Sequence, residues 1–228
     1  KTAAVHQVIY EQKPTDPNVL TLDQVIEITH ATGKPVSVDA AGQIYPLENF
    51  GKYVKMGADF QCIAAKYMGA PHSTGFALGT KEVIDAIGRH SFVGYEGRRI
   101  RGIGRPHKID RQEIMGVVAA VRRWMTLNHE DRLSSAEAQS QSIIKPLTGL
   151  PGVTAELNTN IKGHQPFGVL VSVDPDIVGF TNDDLVTKLR NGDPSIWTRV
   201  SLDAPVLEIH VFGLGEDQAE LVGNAIAD

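Results

Sequence analysis

The sequence predicts an α/β fold, a mainly parallel sheet with crossover helices over residues 1–108, followed by a small α+β unit over 109–228. Three observations carry this reading. Short runs of strand formers alternate with helical patterns in the first part of the chain, which is the signature of crossover connections between parallel strands. Past Gly104 one long apolar-periodic stretch intervenes. Beyond it the pattern is mixed, with strands and helices of a second, smaller unit.

Each element has a local reason. Val5 to Tyr10 is rich in strand formers and runs into the turn-forming Pro14-Thr15-Asp16-Pro17-Asn18. Thr21-Leu22-Asp23-Gln24 has the form of a capping box, apolar Leu22, Val25, Ile26 and Ile28 follow, and Gly33 stops the helix. Pro35 to Val38 reads as a buried strand ending at Asp39. A helix is expected from Pro46 to Lys55, then strands over Phe60 to Ala64 and Gly75 to Leu78. Gln112 to Leu127 is a long helix offering Ile114, Val117, Val118, Val121 and Met125 to one face. The remaining expectations are helices over Ser134 to Ile144, Asn182 to Leu189 and from near Glu216. Strands are expected over Gly168 to Val173, Ile196 to Val200 and Val206 to Val211.

The 228 residues suffice for one large domain or two small ones, and 42% hydrophobic with 21% charged is ordinary globular composition. A net charge of -5 argues against non-specific nucleic-acid or anionic-membrane binding as the main purpose. No apolar run is long enough for a membrane helix. The one cysteine, Cys62, cannot form an internal disulfide and suits a reducing cytoplasm. The eight histidines show no metal-ligand spacing, so no metal is expected. Gly102-Ile103-Gly104 and Gly213-Leu214-Gly215 are only fragments of a dinucleotide fingerprint.

Asp39 and Lys66 carry the chemistry. Each closes an apolar strand, and ligands of open α/β sheets bind beyond the carboxyl ends of the strands. A carboxylate and an amine in one crevice, with small residues beside them, suit pyridoxal phosphate: the amine takes the aldehyde and the acid holds the ring nitrogen protonated. The other reading is a turn-capping Asp and a surface Lys.

SVDAAGQIYPLENF, GADFQCIAAKYMGAPHSTGFALGTKEVIDAI and GIGRPHKIDRQEIMGVVAAVRRW resemble, in order and spacing, blocks of one family. These are the fold-type I pyridoxal-phosphate enzymes similar to selenocysteine synthase and D-glucosaminate-6-phosphate ammonia-lyase. NGDPSIWTRV extends the likeness into the small unit. The resemblance implies part of a fold-type I large domain followed by the small C-terminal domain. It implies Lys66 as the lysine that holds the cofactor and moves the substrate proton, Asp39 as partner of the ring nitrogen, and Ala41 and Gln43 beside the ring. Arg199 would hold a substrate carboxylate, and Arg105 and Lys108 would face its anionic end. For Arg199 a surface ion pair is the competing reading, and for Arg105 and Lys108 a helix-capping or domain-linking role. His72 stands where the family has Gln, as an acid or base or as a plain loop residue. Ala64 and Ala65 stand where relatives have Ser and Gly, and Gly42 stands where they have Ala.

The upstream phosphate-binding loop of the family has no counterpart, so a C-terminal portion of a longer enzyme is expected, or a partner chain supplying the rest. The implied function is a lyase or transferase acting on an amino acid or amino sugar acid, in a homodimer or larger assembly. The rivals are an aminotransferase or cysteine desulfurase of the same fold, or a non-catalytic subunit binding RNA or another protein. The short basic run Arg98, Arg99, Arg101 could touch RNA, although binding of anionic substrate or cofactor groups, or subunit contacts, is the favoured reading.

Overall fold

The computed structural model describes residues 1–9, 18–159, 167–201, 204–215 and 217–228. Tyr10, the turn residues Pro14 to Pro17 and the helix start expected near Glu216 lie outside the described residues. The chain forms two compact units, Lys1–Leu127 and Asn128–Asp228.

In the first unit β1 (Val5–Val8), β2 (Val36–Asp39), β3 (Phe60–Ala64) and β4 (Gly75–Gly79) form one sheet in that order. The first three strands are parallel, and β4 turns back antiparallel to β3. The crossover between β1 and β2 carries α1 (Leu22–His30). Its start is the expected capping box: Thr21 accepts from the Gln24 amide while the Gln24 side chain accepts from the Thr21 amide. Leu22 and Ile26 then pack on Val36, Val38 and Ala40, and Val36 and Val38 are fully buried. Each such side chain contributes roughly 1.5–3 kcal/mol of burial.

The helix expected over Pro46 to Lys55 is broken. A 3-10 turn, Leu47–Asn49, is separated from the single-turn α2 (Lys52–Lys55) by Gly51, whose φ of 79° interrupts the helical path. After β4 come α3 (Lys81–His90) and α4 (Phe92–Arg98), two helices that the strand-and-helix pattern had not separated. The long helix is α5 (Arg111–Thr126), started by an Asp110–Glu113 capping box. It groups with the first unit. Its buried face is Ala120 and Trp124, with Val117 and Val121 beside them, whereas Ile114, Val118 and Met125 are exposed. The helix therefore sits rotated from the face its aliphatic residues suggested, because the buried Trp124 takes the core position.

In the second unit β5 (Val153–Asn158), β6 (Gly168–Val173) and β7 (Leu207–His210) form an antiparallel sheet. It is accompanied by α6 (His129–Ile144), the short α7 (Pro175–Val178), α8 (Asn182–Asn191) and α9 (Gln218–Ala227). Ile143, Leu147, Val169, Val171 and Leu207 form the heart of its core. The strand expected over Ile196 to Val200 reduces to a bridge between Val200 and Leu207. Among the described residues no helix is long and apolar enough to cross a membrane.

Candidate active site

Strand alternation decides where Asp39 points. Val36 and Val38 turn into the core, so Ser37 and Asp39 fall on the opposite face of β2, half-buried. Asp39 pairs with Cys62 on β3. Its Oδ1 accepts from the Ala41 amide at 3.0 Å and from the Cys62 thiol at 3.5 Å. Among the described residues no donor reaches Oδ2. Burial pushes the Cys62 thiol up from its ordinary value, and the Asp39 carboxylate adds to the effect.

Lys66 follows on the adjacent strand. Beyond Ala64 the chain tightens into a 3-10 turn, Ala65–Met68, closed by Gly69 at φ 90°. Ala65 and Met68, three apart, share one side of that turn and are buried to 0% and 1% exposure. Lys66 therefore lies on another flank, half-buried, with Nζ 5.2 Å from the Tyr67 ring centroid. The Ala64 amide donates to the Ala41 carbonyl at 3.1 Å, so the segment after Asp39 stays stitched to the segment before Lys66.

One helix braces both segments. The Trp124 indole N–H of α5 donates to the Ile44 carbonyl at 2.8 Å, behind Asp39. Arg123 donates to the Met68 carbonyl at 3.4 Å, and the Ser73 hydroxyl donates to Glu113 at 3.2 Å. Gly116 lies against Pro71, and a Cβ there would come within 2.7 Å of Pro71 Cδ. Neither this brace nor the thiol beside Asp39 was legible in the sequence. Both depend on strand register and helix rotation, which no local motif encodes.

The other expected residues divide. Ala41 and Gln43 lie in the turn behind Asp39; Gln43 Oε1 accepts from Asn49 at 3.4 Å, which leaves its amide nitrogen as a donor. His72 is exposed on the turn closed by the Thr74 amide on the Pro71 carbonyl. Arg105 and Lys108 gather on α4. The Arg105 guanidinium stands 4.6 Å from the Tyr95 ring and 5.1 Å from Phe92, with Glu96 at 3.5 Å, and Lys108 Nζ stands 4.9 Å from Phe92. Arg199 belongs to the second unit, where it lines a pocket of about 320 Å³ with Thr198, Glu208, His210 and apolar Leu189 and Ile226. Among the described residues no three His, Cys, Asp or Glu side chains are grouped to hold a metal ion.

The donor set at the ends of β2 and β3 fits a pyridoxal ring. It comprises a carboxylate with one oxygen open, a lysine amine, and Ala41 and Ala64 as small neighbours.

Comparison with known proteins finds related enzymes. The chain is 29% identical over 224 residues to a 5'-C-glycyluridine monooxygenase-decarboxylase of Streptomyces sp, covering 97% of the chain and 53% of that protein. It is 26% identical over 182 residues to D-glucosaminate-6-phosphate ammonia lyase of Salmonella typhimurium, covering 79% of the chain and 44% of that protein. A solved structure of D-glucosaminate-6-phosphate ammonia-lyase superposes with a TM-score of 0.72 at 24% identity, over 99% of this chain and 57% of that one. The cysteine desulfurase CsdA of Escherichia coli superposes with a TM-score of 0.51 at 14% identity, over 97% of the chain and 57% of that one. No protein-family model matches. The chain spans about half the length of the relatives it matches.

Proposed function

We infer, from a chain that has the fold of the fold-type I pyridoxal-phosphate enzymes, that it forms the lysine-bearing part of a pyridoxal-phosphate-dependent lyase or transferase. The observation that carries this is the position of Asp39 and Lys66 at the carboxyl ends of adjacent parallel strands. Strand spacing and rise put their Cα atoms on the order of 10 Å apart, a gap that two side chains with a pyridine ring between them can fill. When bound, the cofactor supplies an aldehyde for amines and a ring that draws electrons from the bonds at the amine-bearing carbon.

The chain's own groups divide the remaining work. The Lys66 amine is the covalent attachment point and, once displaced by a substrate amine, the base at the adjacent C–H. Asp39 Oδ2 is free to accept from a protonated ring nitrogen, since Oδ1 is already engaged. The Gln43 amide nitrogen can donate to the ring hydroxyl. Arg199, a planar two-pronged donor, suits a substrate carboxylate. Arg105 and Lys108 suit a more distant anionic group, and His72 contributes from the loop after Lys66. The substrate class is an amino acid or amino sugar acid, and expulsion of a β-substituent is the first reaction to test. A symmetric assembly of two or more chains in the cytoplasm completes the proposal.

A second reading rests on the Streptomyces relative, whose name joins oxygenation to decarboxylation. The same acid and amine would then assist loss of a carboxylate instead of a proton. Product analysis separates the two: keto acid with ammonia against carbon dioxide. The primary test is uptake of pyridoxal phosphate by the full-length protein to which these 228 residues belong, read as a visible absorbance band. Lys66→Ala should abolish the band, and borohydride reduction should fix the cofactor on the peptide containing Lys66. A full-length protein that never acquires the band refutes the reading.

A further inference from the structure

We propose that Cys62 is a positioning residue for Asp39: its thiol and the Ala41 amide both hold Oδ1, which leaves Oδ2 directed to a protonated ring nitrogen. The inference rests on the function proposed above and assigns a role to a side chain that no motif singled out.

The geometry is set by the sheet. Asp39 and Cys62 are cross-strand partners, so their side chains leave the same face. The S···O distance of 3.5 Å is within hydrogen-bond range for sulfur. On the other side of Cys62 the paired residue of β4 is Ala77, which offers neither charge nor hydrogen bond. Asp39 is therefore the charged group that bears on the thiol. A thiol shifted upward stays protonated at neutral pH and keeps its hydrogen to donate. A carboxylate rotating freely about its Cβ–Cγ bond would share its oxygens between ring and backbone. Two donors on one oxygen remove that freedom before any ring arrives, which is the advantage of pre-organisation.

Two experiments on the full chain test this. The first needs no cofactor. Cys62 is the one cysteine of these 228 residues, and the pH dependence of alkylation by iodoacetamide, read by mass on the peptide containing Cys62, reports it alone. The ionisation midpoint should lie above that of an ordinary thiol, and Asp39→Asn should lower it; an unmoved midpoint overturns the contact. The second measures pyridoxal phosphate uptake and the pH dependence of its absorbance band. Cys62→Ala should weaken uptake about three-fold, the range of one weak hydrogen bond, and shift the band's pH midpoint. Cys62→Ser, which keeps a donor, should restore both. If Cys62→Ala leaves uptake and midpoint unchanged, or Cys62→Ser behaves like Cys62→Ala, the positioning role falls while the function stands. If the wild-type full-length protein takes up no pyridoxal phosphate, the function falls and this proposal with it.

Discussion

Replacing Trp124 by Phe tests whether α5 holds the segment behind Asp39. The indole N–H donates to the Ile44 carbonyl at 2.8 Å, and both residues are buried, Trp124 at 4% exposure and Ile44 at 0%. Phe keeps an aromatic ring but loses the donor. A buried carbonyl stripped of its partner costs about 1–3 kcal/mol, and the smaller ring leaves a void worth roughly another 1 kcal/mol. The expected loss is about 2–4 kcal/mol. With a urea slope of about 2 kcal/mol/M, the unfolding midpoint should fall by roughly 1–2 M. The assay is helped by the chain's two tryptophans, Trp124 buried in the first unit and Trp197 76% exposed in the second. In a Trp197→Phe background Trp124 can be followed alone, and circular dichroism follows Trp124→Phe against its parent. Uptake of pyridoxal phosphate should weaken as well, because Ile44 ends the turn that carries Ala41 and Gln43. A Trp124→Phe midpoint equal to that of the parent would refute the brace.

Three further outcomes are expected. Gly116→Ala gains up to about 1 kcal/mol of helix propensity, but its methyl meets the rigid Pro71 ring at 2.7 Å, a contact worth about 1–3 kcal/mol. The clash should prevail, so thermal melting should show a net loss near 1 kcal/mol, and a stabilised variant would contradict the packing. Asp59 Oδ2 accepts from the Val36 amide at 2.8 Å and from His30 at 2.9 Å, so Asp59→Ala should cost about 1–3 kcal/mol. Asp59→Asn, which keeps an acceptor, should cost less in the same urea titration, and neither change should alter cofactor affinity, because Asp59 sits at the far end of the sheet. Asp184 is held below the ordinary carboxylate range by the Thr181 amide and hydroxyl. Its stabilisation of α8 is present above that ordinary range and is lost as pH falls through the lowered value, so Asp184→Asn should flatten the acid limb of helicity seen by circular dichroism.

The parts of the fold legible in the sequence were those written locally. The Thr21–Gln24 capping box fixed the start of α1, and the apolar runs ending at Asp39 and Ala64 located the strand ends that matter. Direction was not legible: nothing in Gly75 to Gly79 says that β4 runs against β3, since period-two alternation is the same either way. Rotation was not legible either. The aliphatic residues of α5 pointed to one stripe, and the largest side chain, Trp124, took the core instead. For Arg105 and Lys108 the sequence offered an anionic partner or a capping role, and the aromatics of α4 against which they stand became visible only in the fold. The contact between Cys62 and Asp39 joins residues on different strands and became visible only with the register.

The strand order makes β1 an outer strand, and among the described residues nothing pairs with its far side. Its sequence, Val-His-Gln-Val, contains no lysine, proline or bulge to discourage a visitor. A rim of amides and carbonyls left unpaired in this way can recruit an extended backbone. Concentrated solutions of these 228 residues taken by themselves should therefore self-associate by adding strands edge to edge, and a lysine substituted for the exposed Val8 would be the simplest means of keeping such molecules apart.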